Sequence, residues 1–109
     1  MAHIEFKEEE QDFKKLIEDH KDKPTFVDFF AEWCGPCKIL KPMVEKACKD
    51  NGFNFVSINI DENEKITEEY DVQGVPYVVL FLNGKKVFDF SGANTKKLDE
   101  AVAMAKKGN

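Results

Sequence analysis

The run Thr25-Phe26-Val27-Asp28-Phe29-Phe30 constrains this chain more than any other stretch. It reads as a mostly apolar strand with large side chains at successive positions, so both of its faces must be buried. A strand of that kind implies layers above and below it. Pro24 marks its start.

The segments around this strand supply the layers. Between Lys7 and Lys21, Phe13, Leu16 and Ile17 fall at helical spacing, with Glu8, Glu9 and Glu10 expected in the opening turn and His20 and Lys21 at the close, charges that suit the helix dipole. From Gly35 to about Asp50, Leu40, Met43, Val44, Ala47 and Cys48 recur at helical intervals. Asn51-Gly52 supplies the end signal of that helix, and Pro42 within it predicts a kink. Residues 53–60 form a second strand candidate, followed by a short acidic helix over about 63–70 and a turn near Gly74. Two strand-like runs, 77–82 and 85–90, flank Asn83-Gly84, the pair best suited to a type I′ hairpin turn. After Gly92 a last amphipathic helix starts near Asn94 or Thr95 and carries Leu98, Ala101, Val102 and Ala105 on one face. Residues 3–6 are a candidate edge strand. The expected fold is α/β, a βαβ unit followed by a hairpin and a final helix, giving a central mixed sheet flanked by helices on both faces.

Length and charge narrow the function. The 109 residues are expected to form a single domain, 1–109, because they leave no length for a second core. The net charge is −5 and the lysines are interleaved with acids, which argues against a nucleic-acid partner. The doublets Lys96-Lys97 and Lys106-Lys107 both lie near expected helix ends, where a solvated face or a dipole effect accounts for them. No segment reaches the ~20 apolar residues of a membrane span, and the N-terminus lacks the pattern of a secretory signal, so a cytoplasmic protein is expected.

Two of the three cysteines stand in Trp33-Cys34-Gly35-Pro36-Cys37, between the buried strand and a helix. That placement puts Cys34 at a helix N-terminus, where unpaired N–H groups and the dipole favour a thiolate. Pro36 suits a first turn, where its missing N–H costs nothing. Cys37 lies three residues on, on the same face, within reach of Cys34. A zinc half-site is the rival reading, but Cys48, His3 and His20 offer no matching spaced pair, and no metal is expected. Cys48 lies on the apolar face of its helix and reads as a buried small hydrophobe, about 16 Å along the axis from Cys37 and too far to pair with it. Asp28 interrupts the apolar strand, so it either stands at an exposed strand end or is buried, where desolvation would raise its pKa.

The run from Val27 to Lys38, with Pro42, Asn59-Ile60-Asp61, Gly74-Val75-Pro76, Asn83-Gly84 and Gly92, resembles the thioredoxin family over nearly the whole chain. The resemblance implies a thioredoxin fold and a protein-disulfide reductase in which Cys34 attacks, Cys37 resolves and Asp28 accepts the proton of Cys37. Gly-Pro between the cysteines implies electron donation, since isomerases of the family resemble Cys-Gly-His-Cys and glutaredoxins Cys-Pro-Tyr-Cys. It further implies a cis peptide before Pro76 and a client strand pairing with the backbone of Val75. Trp33, Gly35, Pro36, Gly74, Val75, Gly92 and Ala93 are then expected around Cys34, with unusual backbone angles as another account of Gly74 and Gly92. No cofactor is expected on the chain itself. Its electrons are expected from NADPH through a thioredoxin reductase, its partners are that reductase and disulfide-containing clients, and it is expected to be a monomer. A binding module that does not turn over and a disulfide isomerase or oxidase domain are the other readings. Three departures from the family pattern stand out: Phe30 for a common Trp, Ser57 for a Lys often found near the buried Asp, and Tyr77 for the usual Thr.

Overall fold

The computed structural model describes residues 2–108. In chain order the elements are β1 (His3–Glu5), α1 (Phe13–Asp19), β2 (Thr25–Phe30), α2 (Gly35–Asn51), β3 (Asn54–Asn59), α3 (Glu64–Glu69), β4 (Tyr77–Leu82), β5 (Lys85–Ser91) and α4 (Thr95–Lys107). The five strands form one mixed sheet in the order β1-β3-β2-β4-β5. β1 and β2 run parallel to β3, whereas β2 with β4 and β4 with β5 are antiparallel.

Alternation along β2 divides the core. Phe26 packs on one side of the sheet with Leu40, Val44 and Cys48 of α2 and Leu98, Ala101 and Ala105 of α4. Val27 and Phe29 face the other side, with Phe13 and Ile17 of α1 and Ile66 of α3. Both aromatic rings are wholly inaccessible to solvent, as a strand buried on both faces requires. By the period of two, Asp28 points to the α2 side with Phe26 and Phe30.

Local chemistry sets the ends of the elements. Gly52 closes α2 in the left-handed conformation at φ 71°, returning its N–H to Cys48 O. Asn83 and Gly84 have φ 54° and 83°, the two positive values of a type I′ hairpin turn. A register shift interrupts the hairpin between Leu80 and Phe81, an irregularity with no mark in the sequence pattern.

One reading of charge needs correction, and for Lys96 and Lys97, which are exposed, only the solvated face stands and not the dipole effect. α1 begins at Phe13 with Asp12 as its N-cap, so Glu8, Glu9 and Glu10 lie in a separate turn upstream and do not complement its dipole. His20 is the C-cap, and the last turn of α1 holds no basic residue. Lys106 and Lys107 do sit in the last turn of α4, but Lys96 and Lys97 fall in its first turn, where the dipole disfavours them. Lys97 is instead placed over the ring of Phe88, 5.8 Å from its centroid, with Glu100 3.8 Å away.

Candidate active site

α2 starts where the chain leaves β2, and Cys34 is its N-cap. The Cys34 sulfur accepts a hydrogen bond from the Cys37 N–H at 3.2 Å, which satisfies one of the free donors of the first turn. Gly35 and Pro36 occupy the first helical positions, and Cys37 follows on the same face. The two sulfurs are joined in a disulfide with a Cα–Cα distance of 5.3 Å. A helix N-terminus aimed at a sulfur stabilises that sulfur as an anion when the bond opens.

The neighbours of the pair come from separate parts of the chain. Cys34 and Cys37 form a buried cluster with Ala31, and Phe30, Ile60 and Val75 pack against that cluster. The Val75 carbonyl lies 3.6 Å from Cys34 Sγ, and the Val75-Pro76 peptide is cis. Gly92 adopts φ 83° and donates its N–H to Pro76 O at 2.8 Å, bringing Gly92 and Ala93 beside that proline. Gly74 has no positive φ, so an unusual backbone angle does not account for it. Trp33 stands 69% exposed next to the cysteines, its Nε1 donating to Asp61 Oδ2 at 2.9 Å. Cys34, by contrast, is only 4% exposed and Cys37 2%, so the disulfide lies flush in an apolar surface.

Asp28 lies in the sheet below α2, paired in register with Ser57 of β3 and Val78 of β4. It is completely buried, and among the described residues neither carboxyl oxygen has a hydrogen-bond partner. Burial pushes its pKa from the ordinary 3.8 up to about 7, against the pull of Lys41 and with a smaller push from Glu45. A carboxyl that changes charge near neutrality can both take and return a proton. Cys48 is buried too, but it lies 3.7 Å from Asn54 O, and burial raises its thiol to about 12, far from neutrality.

A cleft of about 270 Å³ opens beside Cys37, between Phe30, Lys41 and Asn59. A larger concavity of about 620 Å³ lies between the residues around Glu8 and those around Glu64, and it does not touch the cysteines. Size does not mark the site here, because a folded partner engages a surface and does not enter a cavity. Among the described residues no group of three or more His, Cys, Asp or Glu is arranged to hold a metal ion, and no helix is long and apolar enough to cross a membrane.

Three residues near the site have no role in the sequence reading. Lys41 and Glu45 were legible in principle, since they follow Cys37 at four and eight residues and share its helix face. Asp61 stood only within the run Asn59-Ile60-Asp61 that carries the resemblance, and local pattern gave it no role because its bond to Trp33 joins residues 28 apart in the chain.

Comparison with known proteins agrees with this geometry. The family model described as Thioredoxin matches residues 4–104. Thioredoxin of Gallus gallus is 39% identical over 92 residues, which covers 84% of this chain and 88% of that protein. The crystal structure of reduced Schistosoma mansoni thioredoxin pre-protein superimposes with a TM-score of 0.85 at 34% identity, covering 96% of this chain and 99% of the other. That of Fasciola hepatica thioredoxin gives 0.82 at 36% identity, with the same coverage. The chain therefore belongs to the thioredoxin family, with its fold, and is a thiol-disulfide oxidoreductase that reduces protein disulfides through its Cys34–Cys37 pair.

Proposed function

We propose that Cys34 is the attacking thiolate, Cys37 the resolving thiol and Asp28 the proton acceptor for Cys37. The observation that carries this assignment is the position of Cys34 as N-cap of α2, with the Cys37 N–H directed at its sulfur. In the first step the Cys34 thiolate attacks one sulfur of a client disulfide, forming a mixed disulfide and releasing the other client sulfur as a thiolate. In the second, Cys37 gives its proton to Asp28 and attacks Cys34 Sγ. The Cys34–client bond breaks, and its electron pair leaves on the client sulfur. The client has gained two electrons, and the protein holds them no longer: it is now the Cys34–Cys37 disulfide.

Cys37 and Asp28 suit the second step because both are shielded from bulk water. A thiol in that setting ionises poorly unless a base lies close, and Asp28 is the carboxyl of β2 that faces α2. The surface for the client runs from Trp33 across Gly35 and Pro36 to Gly74, Val75, Pro76, Gly92 and Ala93. The Val75 carbonyl, 3.6 Å from Cys34 Sγ on a half-buried residue, favours pairing with an extended client segment. The reduced state is regenerated by a thioredoxin reductase drawing on NADPH, and the cytoplasm, a reducing compartment, is the setting that fits this cycle.

The decisive experiment follows reduction of insulin's interchain disulfides by dithiothreitol. The protein is expected to accelerate it and Cys34→Ser to abolish the acceleration. Cys37→Ser is expected to accumulate mixed disulfides that disappear on reduction. A Cys37→Ser protein that traps no client, beside a Cys34→Ser protein that does, reverses the two roles. A folded, reduced wild type without effect points to a binding module that does not turn over.

A further inference from the structure

Asp28 has to be ionised to accept a proton, yet its position works against ionisation. Burial without a hydrogen bond drives a carboxyl toward the neutral acid. The elements packed around it offer little relief. β3 presents Ser57 and β4 presents Val78, while α4 contributes Leu98, Ala101 and Ala105 to that side of the sheet, and none of these is ionisable. The charges come from α2, as Lys41 and Glu45. Cys37, Lys41 and Glu45 follow one another at four-residue steps on one face of that helix.

Lys41 is held in place by two contacts, with Phe30 and with Glu45. Its ammonium sits 4.9 Å from the centroid of Phe30, which follows Asp28 by two residues on the same face of β2 and packs against the cluster of Ala31, Cys34 and Cys37. It lines the cleft beside Cys37, and its side chain is largely covered, at 30% exposure. Glu45 Oε1 approaches it at 3.7 Å, and Glu45 Oε2 lies as close to His3. The remaining charged groups of the cleft are Glu5, Glu32, Lys38 and Glu62.

We infer that Lys41 is a positioning residue for the resolving step: anchored over Phe30 beside Cys37, its ammonium keeps Asp28 available as a carboxylate, and Glu45 limits that effect. Lys41 neither gives nor takes a proton. It supplies from α2 the positive charge that the strand position Ser57 does not. The inference rests on Asp28 being the base for Cys37.

The test reads Asp28 directly, by its carboxyl carbon chemical shift in the oxidised protein, where Cys34 and Cys37 do not titrate. Lys41→Met keeps the aliphatic stem and is expected to raise the Asp28 midpoint by about 1 pH unit. Lys41→Arg is expected to restore it, and Glu45→Gln to lower it by a smaller amount. Opposite shifts from two sites on one helix face do not arise from a general loosening of the fold. In single-turnover reduction of insulin by pre-reduced protein, Lys41→Met is expected to be about tenfold slower at pH 6 and equal to wild type at pH 9. Midpoints unchanged in both Lys41→Met and Glu45→Gln overturn the inference while leaving Asp28 as the base. An Asp28→Asn protein with the wild-type pH profile removes the base itself, and the inference with it.

Discussion

Asp28 and Asn63 are both shut away from solvent, yet the protein treats them in opposite ways. Asn63 uses its whole side chain: Oδ1 accepts the Glu8 N–H at 2.8 Å, and Nδ2 donates to Asn59 O at 2.9 Å. Its carbonyl accepts from the Thr67 hydroxyl at 2.7 Å as well. Asn54, also buried, ties Ala2 N, His20 O and Thr25 Oγ1 together in the same manner. Asp28 has none of this. A buried polar group with every bond made holds segments together, whereas one left without bonds costs stability and persists for another reason. In this molecule the bonded groups join distant segments, and the unbonded one lies beneath the helix that carries the cysteines.

The sharpest way to break this comparison is to remove the charge of Asp28 and keep its shape. The native carboxyl titrates near 7 and the unfolded one near its ordinary 3.8, so between those values the folded state holds a proton that the unfolded state has lost. Wild-type stability therefore falls as pH rises from about 4 to about 7, and the full penalty applies above that range. The difference corresponds to about 4 kcal/mol, at about 1.4 kcal/mol per pH unit. Asp28→Asn is expected to unfold in urea with a stability higher by roughly that amount at pH 8 and close to wild type at pH 3.5. An equal gain at both pH values would mean that packing, and not ionisation, carries the cost.

Asn63→Ala probes the other side and carries the opposite sign. It leaves the Glu8 N–H and the Asn59 carbonyl without the bonds that Asn63 made, and is expected to cost about 2 kcal/mol by urea unfolding. That loss should be the same at pH 6 and pH 8, since an amide does not titrate. A pH-dependent loss would show that Asn63 acts through a neighbouring charge.

The sequence made one of these groups visible and hid the other. Asp28 was conspicuous because it breaks an apolar run, although the run alone left an exposed strand end open and its burial was expected from the family resemblance. The cysteine pair at a helix start, the Asn83-Gly84 turn and the layered fold were legible for the same reason, since each depends on short-range pattern. The cis peptide at Pro76 came from family resemblance and not from any local signal. Asn63 looked like an ordinary polar residue before an acidic helix, because its partners are Glu8, 55 residues upstream, and a strand-end carbonyl. Local pattern is silent about bonds that form only once the chain has folded. The turn at Glu8–Glu10 was misread by the same limit: three acids near an apolar period suit the start of α1, but the structure uses Glu8 elsewhere.

That use yields the smallest effect and the cleanest check on how Asn63 works. Glu8 accepts the backbone N–H of Ile66 at 3.0 Å and of Lys65 at 3.3 Å, two of the free donors that open α3. Asn63 is the N-cap of α3 by position, but its side chain makes no capping bond because it is turned toward Glu8 N. The two residues thus exchange bonds across the chain: Asn63 holds the Glu8 backbone, and the Glu8 carboxylate caps the helix in Asn63's place. Glu8→Ala should cost about 1 kcal/mol, in the range of a lost N-cap, measured by urea unfolding. If the exchange is cooperative, Glu8→Ala together with Asn63→Ala will cost less than the two single losses added, because the first substitution already loosens what the second removes. Strict additivity would mean that Asn63 fixes the strand end and Glu8 fixes the helix independently, and that the buried amide joins two segments and not three.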